Sequence, residues 1–433
     1  MCHTHGKRRF TGMAQIHTKF TDQQVKELLQ RYLDKTIERN YIQEILGIKR
    51  SRLFILLKQY KTDPAKFSIQ YSRAKATRAI DPTIEQNIIK ELTIDKQAIE
   101  SKDVPLKYYN YSYIKDRLHK VYKQTVSLPT IINRAKKHDF YIQRKEHKKV
   151  HDREILTNYI GELIQHDASY HLFAPSAGKK WCLITSLDDH SRYMLYAKFV
   201  ENESTWDHIQ ALQTVVVKHG SPYSYYVDCH SIFRYVRGRD QRHHKFTKFT
   251  DDVDPQWKQV VLDCKIKPVY ALSPQAKGKI ERPYQWLQDR IIRSCIRDNV
   301  KNINHGQRVL NAELDRYNHK QVHSTTEEIP YIRFQNAKEQ NRSLFREFKI
   351  PSPYLTHKDI FALRTSRTVD PYCKVTIKNL SLRLKDAEPR QFIDIRAYAL
   401  DERLVELRFW CRGKFLESHR VKMTDLGLST FCL

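Results

Sequence analysis

The sequence predicts a multidomain chain. An all-α N-terminal third leads into a central α/β domain on a mixed five-stranded sheet, and a small C-terminal β-barrel of the SH3-like kind follows. Three observations predict this. The apolar spacing is helical from Thr21 onward and changes to a period of two at Gly161. Beyond Thr356, short apolar runs recur at even spacing with turn residues between them. The length of 433 residues suits roughly three domains of ~150 residues each.

Composition narrows the class. Hydrophobic residues are 40% and charged residues 29%, with 11 Gly and 15 Pro, which excludes collagen-like and low-complexity chains. The longest apolar runs, such as residues 53–57, fall far short of the ~18 that cross a bilayer. Residues 1–20 hold a basic patch and no apolar secretory core, so they read as a disordered basic N-terminus of a soluble, cytoplasmic protein. The eight cysteines are scattered with no CxxC pair, which speaks for buried reduced thiols rather than zinc or disulfides. Net charge is +28, of which +17 falls in residues 1–150, +3 in 151–300 and +8 in 301–433. Such an excess calls for a polyanion, with nucleic acid the default (double-stranded DNA, given the helical units) and an anionic membrane the alternative. Against the latter stands the lack of a strongly apolar amphipathic helix, so no membrane is expected.

Residues 21–80 form the first helical unit. Helices are expected at 22–33, capped by Thr21, at 39–46, stopped by Gly47, and at 51–60. Helix, Gly turn and a basic helix start with Lys49, Arg50 and Arg52 match a helix-turn-helix, or else an ordinary helical hairpin with a basic face. A second unit spans 81–150, with helices at 83–93, 112–122 and 130–138. Ser127, Thr130, Asn133, Arg134, Lys136 and Lys137 lie to one side of an apolar stripe of Ile131, Ile132 and Ala135, as on a recognition helix. Residues 144–149 read as a basic strap.

The α/β region spans 151–330. Strands are expected at 162–173, 181–187, 193–200, 223–227 and 266–272, with helices at 205–218 and 277–296. Asp188 and Asp189 fall in the hairpin turn DDHSR. Residues 232–255 form a charged insert containing Arg234, Arg237, Arg239, Arg242, His243, His244, Lys245 and Lys248, read as a DNA-facing or simply solvated loop. A helix at 306–316, a linker at 331–355 and the barrel at 356–433 complete the chain. Its strands are expected at 361–363, 373–377, 380–384, 392–399, 404–410 and 414–421.

Three acids stand out by position: Asp167 mid-strand, Asp228 at a strand end and Glu281 in the first turns of a long helix. Carboxylates in such places are costly unless a cation offsets them. Oxygen ligands suit Mg²⁺ or Mn²⁺, and two such ions serve an in-line phosphoryl displacement without a nucleophilic side chain. His166 and His230 flank two of the acids, as structural residues or as groups orienting a carboxylate or substrate. Lys277, Gly278 and Lys279 precede Glu281 where phosphate is favoured.

In SPQAKGKIERPYQWLQ, Ser273, Pro274, Gly278, Glu281 and Arg282 resemble the end of the fifth strand, the turn and the metal-binding helix of DDE transposases with a retroviral-integrase-type core. RYNHKQVHSTTEEIP, with Tyr317, Asn318, His323, Ser324, Thr325 and Pro330, is similar to the stretch after that core. The resemblance covers about residues 160–330 and points to the ISNCY-type insertion-sequence transposases. It implies a ribonuclease H-like fold with Asp167, Asp228 and Glu281 as catalytic metal ligands for two Mg²⁺ or Mn²⁺ ions. It further implies binding of terminal inverted repeats, strand cleavage and transfer, and a homo-oligomer on DNA. Two departures are plain. Cys229-His230 replaces a common Asn-Gly, and Glu281 lies 53 positions after Asp228. The N-terminus also lacks a His-His-Cys-Cys module, for which Cys2, His3 and His5 are too crowded. The alternatives are a DNA-binding regulator that keeps the fold without activity, and another ribonuclease H-like nuclease.

Overall fold

The computed structural model describes residues 16–70, 80–143, 156–228, 230–233, 255–271, 278–428 and 431, and for 278–285 the backbone only. The chain divides into two compact units, Met1–Pro82 and Thr83–Leu433.

In the first unit, α1 (Asp22–Leu33), α2 (Arg39–Leu46) and α3 (Arg50–Thr62) enclose Val25, Leu29, Ile42, Leu46, Leu53, Leu56 and Leu57. Thr21 opens α1 through a capping box with Gln24. Gly47 closes α2 at φ 64°, a left-handed turn that costs glycine nothing. The disordered reading of residues 1–20 fails from Ile16 onward, because Ile16 is buried in this core and Ile16–Thr18 forms a 3-10 turn. Phe67 and Ile69 also fold back into it, and the Ile69 amide and Ser68 hydroxyl donate to Asp22 at 2.8 Å each.

The second unit begins with α4 (Pro82–Glu100), α5 (Tyr111–Tyr122) and α6 (Leu128–Lys137) around Ile88, Leu92, Ile114, Leu118, Ile131 and Ala135. α4 runs seven residues past the expected stop at 93. No breaker intervenes there, and its last turns find buried partners beyond the three-helix core.

A five-stranded sheet follows in the order β3-β2-β1-β4-β5. Its strands are β1 (Leu163–His171), β2 (Trp181–Asp188), β3 (Met194–Val200), β4 (Ser224–Val227) and β5 (Lys267–Tyr270). β1–β3 form an antiparallel meander, and β4 and β5 join parallel to β1, giving the mixed sheet expected. α7 (Thr205–His219) and α8 (Gln256–Asp263) cover one face, whereas α9 (Gly278–Arg297) and α10 (Ile303–His319) cover the other. Gly306 sets the closeness of α10, since a Cβ there would lie 2.5 Å from the Trp181 ring.

The segment expected to be a linker is structured. It opens with α11 (Pro330–Glu339), which buries Phe334 and Ala337, and continues through bridges from Ser343 to Ile160 and from Arg346 to Ser221. After the short α12 (His357–Ile360) come β6 (Leu363–Thr368), β7 (Lys374–Ile377), β8 (Leu380–Arg383), β9 (Phe392–Ala399), β10 (Leu404–Cys411) and β11 (Lys414–Lys422). They form a four-stranded antiparallel sheet, β11-β10-β9-β6, and a separate β7–β8 hairpin. No strand pairing closes these into a barrel among the described residues. The sheet packs on α7 and α8: Trp206 meets Tyr398 edge-on at 5.2 Å, and Arg364 pairs with Asp263 at 2.5 Å.

Candidate active site

β1 alternates its side chains between two different environments. Ile164, His166 and Ala168 point toward α7 and α8, while Leu163, Gln165, Asp167 and Ser169 point to the face that α9 crosses. Gln165 is the last β1 residue paired with β4, opposite Tyr226. The pairing of β1 with β4 ends there, two places before Asp167 and Asp228, and Asp228 lies one residue past the end of β4. Both are half-buried. Asp228 also accepts the His230 amide at 3.0 Å, which fixes the turn that ends β4.

α9 crosses the same face. Leu287 and Ile291 pack with Leu183 and Leu187 of β2, and Gln288 donates to Ser169 at 3.0 Å. Ser169 is two residues from Asp167 on the same side of β1. Glu281 lies two turns N-terminal of Gln288 on α9. Its side chain, and those of Lys279 and Arg282, are outside the described residues, as are Ser273, Pro274 and Lys277 entirely. Among the described residues no three His, Cys, Asp or Glu side chains form a metal-holding group.

The flanking histidines resolve differently from the acids. His166 is fully buried on the opposite face, where its ring meets the Ser186 hydroxyl at 2.9 Å and His208 at 2.8 Å, with His208 reaching Glu203 at 2.8 Å. It is structural and cannot orient a carboxylate across the sheet. The ring of exposed His230 accepts the Ile232 amide at 3.4 Å.

Asp188 and Asp189 are turn builders, as expected. Asp188 is wholly buried and accepts the Gly161 amide (2.7 Å), the Ser191 amide (2.8 Å) and the Ser191 hydroxyl (2.5 Å). Burial pushes its carboxyl up to about 6, while those donors favour the charged form. Asp189 takes Arg192 at 2.7 Å, Thr157 at 2.8 Å and the Gln165 amide. Asp188 is committed to the turn, and Asp189 ties the turn to Thr157 and to Gln165 of β1.

The basic residues proposed for DNA divide in two. Lys49, Arg50 and Arg52 are exposed at the start of α3. On α6, Asn133, Lys136 and Lys137 are exposed, but Arg134 and Lys137 also pair with Glu85 of α4 at 3.4 and 3.6 Å. Ser127 caps α6 by accepting the Thr130 amide at 3.3 Å, and the two hydroxyls lie 2.8 Å apart. Ile131 and Ala135 of the predicted stripe are buried and Ile132 half-buried. The strap at 144–149, the basic residues of the insert from Arg234 to Lys248, and Cys2, His3, His5, Cys229 and Cys432 lie outside the described residues. The five described cysteines are free thiols, four of them buried. No described helix is long and apolar enough to cross a membrane.

Sequence reasoning missed one feature next to the site. The side chains of Arg290, Arg293 and Arg297 of α9 are not on a solvated face but buried: Arg293 and Arg297 meet Asp95 and Arg297 also Glu91 of α4, while Arg290 pairs with Asp116 of α5 and Glu313 of α10. The signal was a basic stripe at i, i+3 and i+7, which a sequence cannot distinguish from an exposed one.

No protein-family profile matches the chain. Over 194 residues, 45% of this chain, it is 28% identical to “Putative transposase y4bF” of Sinorhizobium fredii. Over 204 residues, 46% of this chain, it is 29% identical to the transposase for insertion sequence IS1202 of Streptococcus pneumoniae. The matched stretch spans 41% of the length of each of those proteins. Among solved structures, the HTLV-2 integrase catalytic core domain in complex with magnesium aligns over 42% of this chain and 98% of its own, at 15% identity and a TM-score of 0.29. The simian T-cell lymphotropic virus intasome in complex with PP2A regulatory subunit B56 gamma aligns over 71% of this chain and 94% of its own, at 12% identity and a TM-score of 0.31. Scores this low carry no argument of their own. Over a little under half its length, therefore, the chain is similar to two bacterial proteins named as transposases.

Proposed function

We propose that the chain is a DNA transposase of an insertion sequence, of the ISNCY type. It binds the terminal inverted repeats through the basic faces of α2–α3 and α6, cuts a phosphodiester at the element end and joins the freed 3′-hydroxyl to target DNA. The observation that supports this reading is the placement of Asp167 within β1 and of Asp228 just past the end of the paired strand β4, with α9 crossing the face of Ser169. The two transposases in the comparison support it.

The donor set fits a hard divalent cation. Asp167 and Asp228 are both half-buried and would offer oxygen ligands of the kind such a cation takes. Asp167, Asp228 and Glu281 would hold Mg²⁺ or Mn²⁺, two ions in all, which when bound activate the attacking oxygen and stabilise the leaving one. Water attacks phosphorus in the first displacement, and the 3′-oxygen leaves. That 3′-hydroxyl attacks a target phosphodiester in the second, so one site serves both steps. Lys49, Arg50, Arg52, Ser127, Thr130, Asn133, Arg134, Lys136, Lys137, Lys277 and Lys279 are the DNA contacts in this reading. Synapsis of two element ends requires more than one copy of the chain.

The test is cutting and joining of labelled duplexes from the DNA that flanks the gene, with Mg²⁺ or Mn²⁺. Asp228→Asn and Glu281→Gln should each lose on the order of a thousandfold in rate, the worth of several kcal/mol of transition-state stabilisation. Variants that cut as well as the parent would overturn the site. Specific binding with no cutting under either metal would favour the regulator.

A further inference from the structure

α4 holds two different partners at its two ends. Near its start, Glu85 pairs with Arg134, Lys137 and His138 of α6 at 3.4, 3.6 and 3.3 Å. Ten residues on, about 15 Å along a straight helix, Asp95 takes Arg293 and Arg297 of α9, the latter at 2.6 Å. One turn before that, Glu91 takes Arg297 at 3.2 Å and Arg117 at 3.4 Å. Arg293 also reaches Asp289 at 3.0 Å and the Tyr108 carbonyl, and Asp289 accepts Asn110 at 2.5 Å. Glu91, Asp95 and Arg293 are all fully buried. Ala98 and Leu106 enter the same apolar cluster as Leu287, Ile291 and Trp181, so α4 and α9 also share a core.

A buried ion network is an expensive way to join two helices. Apolar residues of the same volume would hold them as well or better. What charged, directional contacts add is a fixed axial and rotational register, and the register here is between α6 and the helix that carries Glu281.

We propose that α4 is a strut that makes α6 and α9 one rigid body. Glu85, Asp95 and Arg293 then act as positioning residues, fixing the distance between the duplex read by α6 and the phosphate cut beside α9. This rests on the strand-transfer reading above.

The test uses the full chain and labelled duplexes from the DNA flanking the gene. Arg293→Met with Asp95→Leu replaces the central pair by apolar side chains and leaves Arg297 its partner Glu91. Glu85→Gln loosens the far end of the strut, remote from α9. The parent should cut at one phosphate. Both variants should keep total cutting within about tenfold and spread it over several neighbouring phosphates. A purely structural role would lower the yield and leave the position unchanged, and that result overturns the proposal. Hydrogen exchange on the unliganded chain checks the rigid body apart from activity. Amides of α4–α6 and of α9 should share one protection level in the parent and separate in the double variant. If α4–α6 exchange a hundredfold faster than α9 in the parent, the strut does not exist. If exchange is shared but the parent cuts none of the duplexes, the strand-transfer reading fails and the positioning role falls with it, while the coupling of the helices stands.

Discussion

The two N-terminal helical units look alike in sequence and are built on different terms. α1–α3 closes on itself: its core of Val25, Leu29, Ile42, Leu46 and Leu53 is complete, and Ile16, Phe67 and Ile69 seal it. α4–α6 has its own small core, but the far half of α4 spends its polar and apolar side chains on α9 and the sheet. Like charge and like helix lengths therefore conceal opposite arrangements. The first unit is self-contained in its packing, whereas α4–α6 shares its packing with α9.

Several measurements would break or sharpen that contrast. All five tryptophans, at 181, 206, 257, 286 and 410, lie in the second unit, so their fluorescence reports on it alone. Arg293→Ala should have the largest effect, about 3–5 kcal/mol, because it leaves Asp95 buried beside a lost partner. It should lower the urea midpoint seen by fluorescence. A shift below about 1 kcal/mol would mean that α4 is not buried against α9. Gly306→Ala should follow at about 1–3 kcal/mol, from overpacking against Trp181, with quenching or a spectral shift at that ring. A neutral result would show that α10 has room to move.

Acid should separate the two units next. Burial holds His219 and His323 down to about 4, with neighbouring lysines or arginines adding to it, and His171, His190 and His357 are lowered too. The unfolded chain takes up these protons near 6.5, before the folded chain does. Their stabilisation is therefore present above 6.5 and lost as pH falls toward 4. Asp188 and Asp95, raised by burial, work the other way, since their protons bind the folded chain first. Five imidazoles against two carboxyls give a net loss, so the fluorescence midpoint in urea should fall between pH 7.5 and 5.0. A midpoint that rises would show that the carboxyls dominate.

The smallest effects are the most discriminating. Thr21→Ala and Ser127→Ala each remove an N-cap worth about 1 kcal/mol. Thr21→Ala should shift a circular-dichroism transition and leave the tryptophan signal unchanged. Ser127→Ala should move the tryptophan transition itself, although α4–α6 contains no tryptophan. If both behave alike, the two helical units are equivalent after all.

Much of this was written in the sequence because it is local. Capping by Thr21, the Gly47 stop, the period-two strands and the DDHSR turn all follow from contacts within a few residues. So does the position of Asp167 mid-strand and Asp228 at a strand end. Elements lost at their edges were those that non-local packing decides. Residues 331–355 lack a strong apolar stripe, yet Phe334 and two isolated bridges bind the segment to the sheet. Five of the six C-terminal strands were legible one by one, while the one expected at 361–363 lies instead at Leu363–Thr368; their partition into a four-stranded sheet and a hairpin depends on pairing across the chain.

The sequence by itself determined which residues carry charge and which elements carry them. Only the tertiary structure decided which faces those charges meet. Strand geometry turned His166 to the side opposite its neighbours Gln165 and Asp167, because adjacent residues of a strand alternate. Helix packing buried Arg290, Arg293 and Arg297, although nothing along α9 distinguishes an arginine stripe bound for water from one bound for Asp95. A side chain's chemistry is local, whereas its partner and its dielectric belong to whatever the fold brings against it.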